Sequence, residues 1–134
     1  MRGVEVWIEN HGDFAAADEV VAILLQAASP NGGVVWDPAN SFAATQEQPT
    51  HGAARLGVAI RHVHIKDLRR EGEEWKNVPT GEGDFPLLEL KASLEGLKYD
   101  RFISFEWEKK WHPEIADAEI ALPHFARWFR KNYA

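Results

Sequence analysis

Residues 101–113 read Arg-Phe-Ile-Ser-Phe-Glu-Trp-Glu-Lys-Lys-Trp-His-Pro. Phe102, Ile103, Ser104 and Phe105 are aromatic, β-branched or small, and an unbroken run of that kind is what a parallel strand covered on both faces looks like. Glu106 follows at its carboxyl end. Open α/β sheets and α/β barrels gather their chemistry there, because the strand ends and the loops after them converge on one face. A strand that merely reaches solvent would also leave Glu106 and Glu108 charged at the surface, so the reading depends on whether the pattern recurs.

It recurs upstream. Val4 to Ile8 is strand-like and ends in Glu9-Asn10-His11-Gly12, and Val34-Val35-Trp36 ends in Asp37-Pro38-Ala39-Asn40. Val58 to Ile65 forms a third strand with His64 near its end and Lys66-Asp67 just beyond. Between the first two strands, Phe14, Ala17, Val20, Val21, Leu24 and Ala28 fall at helical spacing, with Asp13 in position to cap and Ser29 to Gly33 as the stop. Residues 45–50 read as a polar loop leading to a short helix over 51–56. Residues 68–77 are charged and read as an exposed excursion, and Val78 to Gly83 reads as a short fourth strand entering a glycine turn. Asp84-Phe85-Pro86 then opens a helix with Leu87, Leu90, Leu94 and Leu97 as its stripe. A last helix carries Leu122, Phe125, Trp128 and Phe129.

Strands alternating with helices, without hairpin signals, predict βα units and a parallel sheet. Glu9, Asp37 and His64 follow one another at intervals of 28 and 27 residues, close to the roughly 31 residues per unit of a ~250-residue eight-fold barrel. From His64 to Glu106 the interval is 42, so one helix is expected to be missing there and replaced by the charged excursion.

Composition narrows the function. The 134 residues are 45% apolar with a net charge of −6 and no cysteine. This is enough chain for a single domain over residues 1–134 with a real core. Lys and Arg are dispersed, without the basic stripe that nucleic-acid binding needs. The longest apolar stretch, Val20 to Ala28, is too short for a bilayer, and the first residues lack a signal-peptide layout, so no membrane partner and a cytoplasmic location are expected. Without thiolates, any metal must be held by His, Asp and Glu. Four strands ending in Glu9, Asp37, His64 and Glu106 offer three carboxylates and an imidazole. Mg²⁺, Mn²⁺ or Co²⁺ suits that donor set, and Zn²⁺ is compatible with it.

Taken in order, Ile8-Glu9-Asn10-His11-Gly12, Trp36-Asp37-Pro38-Ala39-Asn40, His62-Val63-His64-Ile65-Lys66-Asp67, Gly81-Glu82-Gly83-Asp84 and Ser104-Phe105-Glu106-Trp107-Glu108 resemble the xylose-isomerase-like TIM-barrel superfamily. The closer likeness is to its sugar phosphate isomerase/epimerase branch. Each motif alone is weak, and five in the right order are specific. The resemblance implies an α/β fold that is a partial (β/α) TIM barrel, about strands 4 to 8 with their helices. It implies Glu9, Asp37, His64 and Glu106 as ligands of a divalent metal, with Glu9 and Glu106 as the catalytic pair. Asn40, Lys66, Asp67, Glu82 and Trp107 are the expected substrate contacts. Asn40 stands where multi-zinc relatives carry a histidine. His11 is placed behind the ligands, and Trp111 and His112 are placed to wall a sugar site. His62 is expected on the opposite face of its strand from the site, although two-residue spacing from His64 argues for the same face.

The implied activity is a metal-dependent isomerisation or epimerisation of a small sugar or sugar phosphate, by proton transfer beside a carbonyl. Metal-dependent phosphodiester cleavage at abasic DNA is the alternative on this scaffold, and the −6 charge opposes it. An inactive partial barrel or subunit is a third reading. Five parallel strands out of eight would leave two open edges and an apolar inner face, so a homodimer or another partner completing the barrel is expected.

Overall fold

The computed structural model describes residues 3–133. Four strands form a parallel sheet in the order β1-β2-β3-β6, namely Val6–Glu9 (β1), Gly32–Trp36 (β2), Ile60–Ile65 (β3) and Ile103–Phe105 (β6). Five helices accompany them. These are Ala17–Ala27 (α1), Pro38–Thr45 (α2), Pro49–Leu56 (α3), Leu87–Gly96 (α4) and Ala118–Tyr133 (α5). None is long and apolar enough to cross a membrane.

The core lies between the sheet and the helices. Val34, Trp36, Ile60, Val63 and Ile65 point to one face of the sheet and meet Val20 of α1, Ala53 and Leu56 of α3, and Leu90 and Leu94 of α4. These helical residues recur every three or four positions, which keeps them on one stripe. Gly52 lets α3 sit against Trp36, since a Cβ there would come 2.9 Å from the indole ring. α5 closes the β6 end by stacking Phe125 on Phe105, with ring centroids 4.4 Å apart.

Three expectations are corrected. The predicted fourth parallel strand over 78–83 does not form. Asp67–Glu71 (β4) and Glu74–Val78 (β5) pair antiparallel as a hairpin, and residues 79–84 run through turns and bends. The charged excursion is therefore ordered. Gly72 supplies the positive φ of 64° at its turn, and Trp75 anchors it to Phe42 with ring centroids 5.3 Å apart. Second, α2 forms over Pro38–Thr45, where no helix was expected, with Asp37 as N-cap and Pro38 in the first turn. Third, Asp13 lies in a 3-10 turn over Gly12–Phe14, and α1 begins only at Ala17, where Glu19 accepts from the Ala16 N–H.

The register contains one irregularity. Between Val34 and Val35 on β2, the partners on β3 step from Ile60 to His62, so β3 carries an extra residue at Arg61. Arg61 and His62 thus both leave the helix side. A Cβ on Gly33 would run into Arg61 and come 2.9 Å from Trp7, which places those two side chains on the open face. That face also carries His62, His64 and Ser104, so apart from Trp7 it is largely polar, where an apolar surface was expected.

Candidate metal centre

The site begins with a residue the sequence reading passed over. Asn10, fully buried, follows β1 and faces the end of β2. Its Oδ1 accepts the Asp37 N–H at 2.7 Å, and its amide donates to Asp37 O at 2.7 Å and to Ser41 Oγ at 3.0 Å. The ends of two strands and the first turn of α2 are thereby locked together. Asp37 is equally buried, and its Oδ1 accepts from the N–H groups of Ala39 and Asn40 at 2.9 and 3.0 Å. Its Oδ2 is left facing inward, 3.0 Å from Lys66 Nζ.

β3 delivers His64 and then Lys66 to the same face, two residues apart. β6 delivers Glu106, whose N–H is held by Ile65 O at 3.0 Å. Glu9 arrives from the opposite outer strand. Two carboxylate oxygens, Glu9 Oε1 and Glu106 Oε2, each lie 2.9 Å from the same nitrogen, His64 Nδ1. One N–H cannot point at both, and the aligned bond is the one to Glu9. Glu106 Oε2 and Asp37 Oδ2 are both buried without an aligned hydrogen-bond donor.

One ligand atom from each of Glu9, Asp37, His64 and Glu106 lies within 4.8 Å of all the others. Three carboxylates and one imidazole, with two buried oxygens lacking a donor, form a donor set that fits a hard or borderline divalent cation. Ionisation reflects the crowding. Burial pushes Asp37 up to about 7; Lys66 opposes this, and a hydrogen bond to Glu106 reinforces it. Burial would raise Glu106 as well, but the close approach of His64 and Asp37 and the charge of Lys66 hold it below the usual carboxylate range. His64 is raised, chiefly by its interaction with Glu106 and against the effect of burial. Burial alone would lower Lys66, yet Asp37 and Glu106 outweigh it and the net shift is upward.

The remaining sequence candidates are distributed around this cluster. Asn40 donates its amide to Asn10 O at 3.0 Å. Lys66, only 2% exposed, sits within the carboxylates. Asp67 turns to the loop beyond β5, where its Oδ2 accepts from Gly81 N and Gly83 N at 2.8 and 2.9 Å. Glu82 is exposed on that loop, and its carbonyl accepts from Arg69 Nε at 3.1 Å. Trp107 donates to Ala116 O at 2.8 Å and packs beside Phe105. His11 is exposed, and Trp111 lies at the surface under Lys110. His112 Nε2 is 3.8 Å from Glu108. His62 is on the His64 face, 5.4 Å away between ring centroids, and bonds Ser104 Oγ at 2.8 Å. The expectation of the opposite face is thereby corrected: plain alternation from His62 to His64 keeps both on one side, and the extra residue at Arg61 turns only Ile60 to the helices. Glu108, 3.9 Å from Lys66 and bonded by Asn77, extends the carboxylate cluster.

Fold and site together define part of an α/β barrel, an open parallel sheet with an acid and imidazole cluster at the carboxyl ends of its strands. The chain belongs to the xylose isomerase-like TIM barrel family, whose pattern it matches over residues 1–131. Among solved structures it is similar to the probable 3-DHS dehydratase AsbF from Bacillus anthracis, with 18% identity, TM-score 0.77 and coverage of 97% of this chain and 50% of that one. It is also similar to D-allulose 3-epimerase from Methylomonas sp. in complex with D-allulose, with 16% identity, TM-score 0.70 and coverage of 98% and 49%. A third is a xylose isomerase-like TIM barrel protein from Mycobacterium smegmatis in complex with magnesium, with 19% identity, TM-score 0.61 and coverage of 78% and 37%. No curated protein matches. The chain spans about half the length of the solved structures it matches.

Proposed function

We propose that the cluster is a single divalent-cation centre serving isomerisation or epimerisation of a small sugar or sugar phosphate. The observation that carries this is the convergence of Glu9, Asp37, His64 and Glu106 within 4.8 Å. A bound divalent cation supplies a Lewis acid that polarises a substrate carbonyl and its neighbouring hydroxyl, acidifying the C–H between them. The chain supplies the proton transfers. Glu9 and Glu106 come from the two outer strands of the sheet, so their carboxylates approach a substrate from different sides. In epimerisation one carboxylate takes the C–H proton and the other, in its protonated form, gives its own proton to the opposite side of the same carbon; in isomerisation the carboxyl that took the proton delivers it to the neighbouring carbon. Glu9, with a side chain 37% exposed, is the more accessible of the two. Asn10 and Asn40 hold Asp37 and α2 in place. Trp107, next to Glu106, offers a ring edge to a sugar. The fold similarity to an epimerase and a dehydratase supports a reaction that begins beside a carbonyl.

The test is deuterium exchange. With Mn²⁺ or Mg²⁺ present, candidate ketoses in deuterated water should gain deuterium next to the carbonyl. Glu9→Gln and Glu106→Gln should each remove it. Cleavage of an abasic-site oligonucleotide without any such exchange would favour the hydrolase reading instead.

A further inference from the structure

Among the described residues, Lys66 is the cation enclosed by the ligand carboxylates. Its ammonium lies 3.0 Å from Asp37 Oδ2, 3.4 Å from Glu106 Oε1 and 3.9 Å from Glu108 Oε2. A lysine this buried keeps its charge only where opposite charges surround it. The arithmetic of the site then matters. Three ligand carboxylates contribute three negative charges, a neutral imidazole contributes none, and Lys66 returns one positive charge. The enclosed total is −2. Glu108 is not counted because it is not among the side chains whose ligand atoms converge within 4.8 Å; Asn77 donates to it at 3.2 Å and His112 faces it at 3.8 Å. One doubly charged ion neutralises this set, whereas a triply charged ion would leave one positive charge unbalanced.

We propose that Lys66 sets the valence of the ion the centre accepts: its buried ammonium tunes a three-carboxylate site to a +2 ion, and without it the same ligands favour a +3 ion. The proposal rests on the metal reading above. It also assigns Lys66 a role that does not require contact with substrate. Because Asp37 Oδ1 is occupied by the α2 N–H groups, the ammonium shares the single oxygen, Oδ2, that Asp37 has left for an ion. A change of one unit in the charge at that distance alters the preference between +2 and +3 ions by more than about tenfold, even with effective dielectric screening.

The experiment measures the affinities of the full chain for Mn²⁺ and Tb³⁺ by competition, in wild type and in Lys66→Arg, Lys66→Gln and Lys66→Met. The Tb³⁺ preference should rise more than about tenfold in the Gln and Met variants and stay within about twofold of wild type in the Arg variant. Glu106→Gln should remove the saturable Tb³⁺ signal, which identifies the site. Lys66→Gln can still donate to Asp37, so it carries the test if Lys66→Met does not fold. If both ions weaken together and the ratio is unchanged, Lys66 is only a prop and the proposal falls. A ratio that shifts equally in Lys66→Arg overturns it too. If wild type binds neither ion, the metal reading itself has failed, and that is known before any Lys66 variant is measured.

Discussion

At the scale of single residues, the cluster holds protons that a bound divalent cation would displace. Asp37 is raised to about 7 by burial and His64 is raised by Glu106, so both bind protons more tightly than free side chains do. Metal ligation requires the carboxylate and the neutral imidazole. The sign follows: affinity for Mn²⁺ should rise with pH as the protons of His64 and Asp37 leave, across the range up to and around 7. Calorimetry in buffers of different ionisation enthalpy should show proton release on binding, and a heat independent of buffer would contradict it. Asn10 invites a second prediction. Asn10→Ala leaves the buried N–H and C=O of Asp37 without partners, a loss of about 2 to 3 kcal/mol. Urea denaturation should show the destabilisation, and metal affinity should fall although Asn10 is no ligand. The four candidate ligands were legible in the sequence because each is an acid or imidazole at or near the carboxyl end of a strand-like run. Asn10 was not. Its burial depends on two strand ends meeting 27 residues apart, and a lone polar residue carries no trace of that. Lys66 could have been placed from its two-residue spacing to His64, which keeps both on one face of an extended chain.

At the scale of elements, the β4–β5 hairpin was hidden because its residues are mostly charged and pack through few apolar groups. Alternation of apolar and polar residues is weak when one strand reads Asp-Leu-Arg-Arg-Glu and the other Glu-Trp-Lys-Asn-Val. Helix α2 was hidden for a different reason. Its eight residues are buried mainly through Pro38, Ala39, Ser41 and Phe42, too small a set to show a helical stripe. The strands β1, β2, β3 and β6 were legible because they are apolar and lie between a helix layer and a site. The turn after the hairpin is held by Asp67, and Gly83 is where it has no slack. A Cβ there would collide with the Asp67 carboxylate and come 2.5 Å from Leu68 O, whereas one at Gly96 meets nothing within 4 Å. Gly83→Ala should therefore lower the melting temperature, while Gly96→Ala, at the end of α4, should raise stability by about 0.5 to 1 kcal/mol. Thermal melts of the two variants side by side check both directions.

At the scale of the whole molecule, the sheet has two unpaired strand edges among the described residues, β1 at one end and β6 at the other. Val4 and Val6 beside the first are 66% and 67% exposed, and Phe102 beside the second is 83% exposed. Apolar side chains at open edges favour pairing with further strands. We accordingly predict that the chain as given self-associates at micromolar concentration through these edges. Sedimentation velocity should report a dimer or larger species, and Val6→Lys should shift it toward monomer. A well-folded monomer at that concentration would refute the prediction. Arg61, His62 and Ser104 make most of the open face polar, with Trp7 as its exposed apolar residue, so the edges contribute the larger apolar surface. That distinction was out of reach of the sequence, where an eight-residue apolar-looking run from Val58 to Ile65 hides an added residue.

That added residue has a bearing on how this segment tolerates change in length. Because Arg61 is the surplus position of β3, its removal should restore plain alternation, with Ile60 and Val63 still toward the helices and His64 still toward the carboxylates. Loss of Val63 has the opposite effect, since it would turn either His64 or every residue before it to the wrong side. A one-residue deletion is thus survivable at 61 and ruinous two positions later. In an alignment of family sequences, gaps in this strand should fall at that single column, and a deletion scan read by circular dichroism and metal retention should show the same asymmetry.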